Sequence, residues 1–156
     1  MRRLATLALL AFTAPGLPGD HPPAGKGEAM DLSVFTPAQV KWADGPPSGA
    51  RMAVLEGDPT KEGPFVMRLK MPDGYRIASH THPKPERITV LSGTFHVGMG
   101  DKFDAKKGKA MPAGSFGTLP AGMKHYVWVT GETVIQLHGN GPWVIDYLDP
   151  ADDPRK

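Results

Sequence analysis

From residue 31 onward, short apolar runs alternate with glycine, proline and aspartate along the chain. Segments such as GPFVMRLKMPDG, ERITVLSG and HYVWVTGE have the length, the β-branched and aromatic content and the flanking turn residues typical of strands. About eight of them follow one another at a spacing of roughly eight to twelve residues. Only residues 36–42 suggest a helix, a single turn capped by Thr36 with Pro37 at its first position. The pattern predicts an all-β domain, a sandwich or barrel of short antiparallel strands.

The composition changes at both ends of this pattern. Residues 31–149 hold the strand pattern and are predicted to form one domain, because a chain of 156 residues is long enough for a single buried core. Residues 20–30 (DHPPAGKGEAM) are polar and contain proline and glycine, which predicts a flexible leader. Residues 150–156 form a polar tail, and residues 101–110 (DKFDAKKGKA) are predicted to be a solvated loop between strands.

Residues 1–19 have the build of a secretory signal peptide. Arg2 and Arg3 precede an apolar run over residues 4–12, which ends in small residues and is too short for a stable transmembrane span. The alternative is an amino-terminal core helix, but no amphipathic pattern supports it. We therefore expect an exported protein, periplasmic or secreted, without membrane association once the signal is removed.

Charge and cysteine content exclude several classes of function. Without Arg2 and Arg3 the chain carries 16 basic and 16 acidic side chains, and no basic run offers a binding surface to nucleic acid. The chain has no cysteine, which excludes thiolate metal sites and cysteine nucleophiles. We expect no nucleic-acid partner.

The stretch HTHPKPE holds the largest group of closely spaced candidate functional side chains. Because side chains alternate faces along a strand, His80 and His82 point the same way. Pro83 and Pro85 then stop the strand and turn the chain. Glu86 begins a new strand, which is expected to return antiparallel to the first so that the carboxylate faces the histidines. Two imidazoles and a carboxylate suit Zn, Mn, Fe, Co, Ni or Cu better than Ca or Mg.

The same stretch resembles the first motif of the cupins. That motif reads glycine, five residues, H-x-H, three or four residues, glutamate, six residues, glycine. Gly74, His80, His82, Glu86 and Gly93 occupy every fixed position of it.

A second stretch resembles the second cupin motif, which reads glycine, five residues, P-x-G, two residues, histidine, three residues, asparagine. Gly114, Pro120, Gly122 and His125 match it. Val129 stands where the motif has asparagine, a position that is not a metal ligand.

The resemblance implies a single-domain jelly-roll β-barrel with one divalent transition metal in its mouth. By that resemblance the ligands are His80, His82, Glu86 and His125. Cupins usually pair through their sheets, so the resemblance also implies a homodimer.

Strand parity suggests further residues of the pocket. If even-numbered positions from Arg76 to His82 face the interior, Arg76 shares the cavity and favours an anionic ligand; the alternative is an arginine at the sheet edge. Gln136 and His138 share one face of the last strands, opposite Ile135, and are candidates to lie behind the ligands or to face a substrate.

Two classes of function remain open. The first is a metalloenzyme for a small molecule, such as a dioxygenase, another oxidoreductase or an isomerase, in which Glu86 could also act as a base. The second is a non-catalytic module that binds a metal or a small ligand. Of the two, the sequence favours the enzyme. A site closed by a fifth protein ligand, such as His138, would favour the binding module.

Overall fold

A computed structural model describes residue 32, residues 34–45 and residues 48–155. The chain divides into two units, Met1–Val34 and Phe35–Lys156, and the second contains the fold described below. The predicted signal peptide (1–19) and leader (20–30) lie outside the described residues.

Nine strands dominate the described residues, with three single-turn helices at Pro37–Gln39, Ala105–Lys107 and Pro150–Asp152. The strands are β1 (Ala43–Asp44), β2 (Arg51–Glu56), β3 (Gly63–Met71), β4 (Arg76–Thr81), β5 (Glu86–Met99), β6 (Lys109–Pro112), β7 (Phe116–Leu119), β8 (His125–Gly141) and β9 (Asp146–Tyr147). The all-β prediction is confirmed. The helical turn predicted at Pro37 is also confirmed, with Thr36 as its cap.

All the strands pair antiparallel in one curled sheet. The order β1-β2-β3-β8-β4-β9 forms its main path, and β5 joins that path through β8 while also pairing with β6 and β7. Within the described part of the chain, β4 and β5 both pair with β8 and not with each other. The expectation that Glu86 begins a new strand is confirmed, but that strand does not return alongside β4.

Two long strands replace pairs of predicted short ones. β5 bends near Gly93 and β8 bends near Gly131, and at both glycines φ is +72°. The register between the two strands shifts on either side of Ser92. A left-handed backbone at glycine lets the chain change direction without ending the hydrogen-bonded ladder. The sequence therefore shows two runs where the structure has one bent strand.

The concave side of the sheet holds the apolar core. Met67, Met71 and Val90 are almost completely buried there, and Ile88 and Leu137 pack beside them. Burial of these side chains supplies the main stabilisation, because truncating one core residue of this size typically costs about 2–5 kcal/mol. Among the described residues, no helix has the length and apolar character needed to cross a membrane.

One predicted loop contains regular structure. The segment 101–110 includes the helical turn Ala105–Lys107, at whose start the Lys106 backbone N–H donates to the Asp104 carboxylate. It ends in the first residues of β6, which pair with β5. The sequence gives little sign of β6, because charged residues and glycine dominate this segment. Only one residue of the strand, Met111, is buried, and its partner strand is β5.

We predict that Gly93→Ala destabilises the fold more than Gly131→Ala. Both positions have φ of +72°, so alanine is strained at either by about 1–2 kcal/mol. A Cβ at Gly93 would also lie 2.3 Å from Thr133 Oγ1 and 2.6 Å from Glu132 O, whereas a Cβ at Gly131 meets nothing within 4 Å. Overpacking should therefore add about 1–3 kcal/mol at Gly93 alone. Urea unfolding of the two variants measures the difference, and equal losses would contradict it.

Candidate metal centre

Three histidines meet where β4 ends and β8 begins. His80 lies on β4 and pairs directly with His125, the first residue of β8. His82 follows β4 by one residue. Within the described part of the chain, one ring nitrogen from each histidine lies within 4.8 Å of the other two. The three side chains are 1–4 % exposed, so the cluster is buried.

The hydrogen bonds of the three rings define their tautomer. The Nδ1 atoms of His80, His82 and His125 lie 2.7, 2.6 and 2.9 Å from the carbonyl oxygens of Ala78, Val144 and Met123. A carbonyl oxygen only accepts, so each Nδ1 carries the proton and donates it. Each neutral ring then has its free lone pair on Nε2.

Those lone pairs make the cluster a candidate metal site. Among the described residues, the Nε2 atoms of His82 and His125 are fully buried without a hydrogen-bond partner. Unsatisfied buried nitrogens are costly and rare in folded proteins. A transition metal would satisfy both, because Nδ1–H donated to a carbonyl with Nε2 left free is the usual state of a metal-binding histidine. The residues therefore fit the metal that the motifs imply.

Burial keeps two of these imidazoles, those of His80 and His125, neutral. The pKa of His80 is lowered to about 3, mainly by burial and also by the neighbouring His125 and His82 rings, against a smaller opposing effect of the hydrogen bond to Ala78. Burial also lowers the pKa of His125. Because metal binding requires deprotonated ligands, protons compete weakly at these two rings near neutral pH.

Glu86 contacts the cluster from its side. It is the first residue of β5, it is 8 % exposed, and its Oε2 lies 3.5 Å from His82 Nε2. Its negative charge raises the pKa of His125, against the larger effect of burial. Its other oxygen, Oε1, accepts a hydrogen bond of 3.1 Å from the indole Nε1 of Trp143. The carboxylate is thus held beside the histidines with Oε2 nearest to them.

The cavity beside the cluster is small. Its volume is about 20 Å³, and its wall is otherwise apolar, formed by Leu69, Met71, Ile77, Phe95, Val127, Ile135, Leu137, Trp143 and Ile145. A single water needs about 10–15 Å³ by the same measure. The cavity has room for an ion and about one water-sized ligand.

Arg76 does not enter this cavity, which corrects the parity argument. The register between β4 and β8 shifts between Ile77 and His80, so Ile77 and not Arg76 shares the inner face with the histidine. Arg76 is exposed, and its guanidinium lies 4.8 Å above the ring of Phe103. Strict alternation fails here because a bulge inserts an extra residue.

Gln136 and His138 also lie away from the cluster. They share a face of β8, as predicted, but Ile135 and Leu137 on the opposite face line the cavity. The Gln136 side-chain oxygen accepts a hydrogen bond from Arg68 Nε, and His138 stacks beside Phe116. Neither contacts a histidine of the site, so His138 is not a fifth ligand in the described structure.

Two residues of the site were missed at the sequence level. The Val144 carbonyl orients His82, and Trp143 binds Glu86 and stacks on His82 with ring centroids 5.5 Å apart. In the sequence, residues 141–147 (GPWVIDY) show only the apolar and aromatic content typical of a strand. The tryptophan was the available signal, because a buried indole N–H needs an acceptor.

The sequence matches the profile of a family described as the ChrR Cupin-like domain over residues 31–144. This is most of the chain, which therefore belongs to that cupin family. The comparison with curated proteins gives no match.

Solved structures confirm the jelly-roll fold. The polyketide cyclase RemF from Streptomyces resistomycificus superimposes with a TM-score of 0.64 at 16 % identity, over 80 % of this chain and 90 % of that chain. An acetylacetone dioxygenase from Acinetobacter johnsonii gives a TM-score of 0.59 at 18 % identity, over 81 % and 83 %. A structure of Rhodobacter sphaeroides SigE with the anti-sigma ChrR gives 0.52 at 18 %, over 66 % of this chain and 51 % of that chain. At these identities the likeness shows the fold alone.

We predict that the chelator-treated protein loses stability as the pH falls below about 6.5. In the unfolded chain the two histidines regain their ordinary pKa near 6.5, while burial holds the folded values of His80 and His125 lower. The unfolded state therefore binds more protons, and the free energy of unfolding falls as the pH drops towards the folded pKa, by a few kcal/mol in order of magnitude. Urea unfolding between pH 7 and 4 measures this slope. His80→Gln should flatten it, and an unchanged slope in that variant would refute the assignment.

Proposed function

We propose that the chain is a metal-binding cupin that holds one divalent transition metal through His80, His82 and His125, with Glu86 as the fourth ligand. The observation that carries the proposal is the pair of buried Nε2 atoms, on His82 and His125, that have no partner among the described residues. Three neutral imidazoles and one carboxylate suit Fe, Mn, Cu, Ni, Co or Zn. Such an ion, when bound, would act as a Lewis acid or, if redox-active, exchange electrons.

The size of the cavity favours binding over catalysis. The space beside the histidines, about 20 Å³, matches a water-sized ligand better than an organic substrate. The apolar wall around it includes Trp143 and Ile145, which would have to move to admit anything larger. The proposed role is therefore a closed metal-binding module, in which the ion stabilises the fold or binds a water-sized ligand.

A metalloenzyme, dioxygenase-like, oxidase-like or isomerase-like, is the second candidate. It is favoured by the position of Glu86, whose Oε2 approaches only one of the three histidines closely, His82. A carboxylate at the edge of the cluster could take a proton from a small-molecule substrate at that oxygen. Because Oε1 accepts a hydrogen bond from Trp143, the Glu86 carboxylate would keep its orientation during the proton transfer.

Metal content tests the proposal. We expect the purified native chain to hold about one transition metal ion and His82→Ala to lose it, because that change removes one of the buried donor nitrogens. His138→Ala is the matched control, since His138 lies on the opposite face of β8 from the cavity wall and should leave the metal in place. Elemental analysis of the three proteins measures this. A native chain without metal, or equal loss in both variants, would refute the site.

Oxygen uptake by the native chain and by Glu86→Gln separates the closed module from an oxygen-using enzyme. With metal bound, the closed module should show no oxygen uptake with small enols and diketones beyond that of chelator-treated protein. Uptake that Glu86→Gln abolishes while the metal stays bound would establish the enzyme in its place.

We also propose that the protein is exported and pairs as a homodimer. The composition of residues 1–19 supports export, and the cupin resemblance supports pairing. In the described part of the sheet, β6 and β7 each pair only with β5, which leaves strand edges for a second copy. Mass spectrometry of the native protein should find a chain that begins near residue 20 and a doubled mass for the intact assembly. A full-length monomer would contradict both.

A further inference from the structure

A short connection covers one side of the histidine cluster. Residues 142–145 join β8 to β9 without regular secondary structure. The backbone N–H of Trp143 donates to the carbonyl of Pro59 at 2.6 Å, which ties the connection to the loop between β2 and β3. The Val144 carbonyl accepts from His82 Nδ1 at 2.6 Å. This anchored segment therefore stands directly against the site.

Trp143 touches two of the four proposed ligands. Its indole Nε1 lies 3.1 Å from Glu86 Oε1, and its ring lies nearly parallel to that of His82, with an interplanar angle of 20°. An indole nitrogen can only donate, so the hydrogen bond occupies Oε1 whenever the carboxylate is ionised. Oε2 is then the free oxygen, and it is the one that faces His82 Nε2.

We propose that Trp143 is a positioning residue that holds Glu86 so that a single oxygen, Oε2, is presented to the metal. The inference rests on the proposed metal site. Partners that orient a ligand usually contribute 10- to 100-fold to metal affinity, because a freely rotating carboxylate must be ordered when the metal binds. The alternative is that the indole only fills space against His82.

Removing the indole N–H of residue 143 while keeping an aromatic ring distinguishes the positioning role from a space-filling role. Trp143→Phe keeps an aromatic ring for His82 to stack on and removes the N–H. Trp128→Phe is the matched control, since Trp128 is also half-buried but stacks on His96, away from the cluster. If Trp143→Phe perturbs folding, 3-benzothienylalanine at position 143 replaces the N–H by sulfur at nearly unchanged size.

Cobalt(II) is the probe, with affinity measured by competition against a chelator and ligand arrangement by visible absorption. We expect about a tenfold weaker affinity and an altered spectrum for Trp143→Phe and for the benzothienyl chain, with native values for Trp128→Phe. In a protein that already carries Glu86→Gln, Trp143→Phe should weaken the affinity for cobalt(II) little further, because the carboxylate that Trp143 positions is absent.

The outcomes distinguish this role from the site itself. Native-like affinity and spectrum in Trp143→Phe and in the benzothienyl chain, or the same loss with and without the Glu86 carboxylate, would overturn the positioning role alone. A native chain that binds no cobalt would instead refute the metal site and the role with it.

Discussion

The antiparallel pairing of β8 with β3, β4 and β5 is the constraint on which the rest of the molecule depends. The first half of β8 pairs with β4 and the end of β5, and the second half pairs with β3 and the start of β5. One strand can serve both parts of the sheet only by bending, and the bend near Gly131 faces the bend of β5 near Gly93. The same pairing sets His125 beside His80, so the site is built by the strand that organises the sheet.

Burial of three imidazoles is tolerable only because each has an assigned hydrogen bond. Neutral rings cost less to bury than charged ones, and backbone carbonyls satisfy their Nδ1 protons. The Nε2 atoms of His82 and His125 have no hydrogen-bond partner among the described residues, and the wall around them is largely apolar. A folded chain retains such groups against their cost where they serve binding, which connects the energetics of the core to the proposed role.

The structure brings together the three histidines that the two motifs single out, because fixed spacing on strands carries spatial information. His80 and His82 are both buried in the same cluster, and His125 meets them through strand pairing. Strand parity, which would put Arg76 in the cavity, fails because the bulge between Ile77 and His80 depends on β8, about 50 residues away, and leaves no local signal. The contacts of Trp143 and Val144 are equally remote in sequence. The size of the cavity depends on how several segments pack together, so it left no signal in the sequence.

The placement of the site on separate strands has a consequence for how the molecule would come apart. The histidines belong to the ends of β4 and β8, and Glu86 begins β5, so an ion shared by them would fasten together segments that are distant along the chain. These strands cannot separate while the ion is held, whereas the unfolded chain offers no comparable group of ligands. The ion would then mainly slow unfolding, and so protect the chain against proteolysis and slow denaturation. In a chain without cysteine, it would take the place of a disulfide.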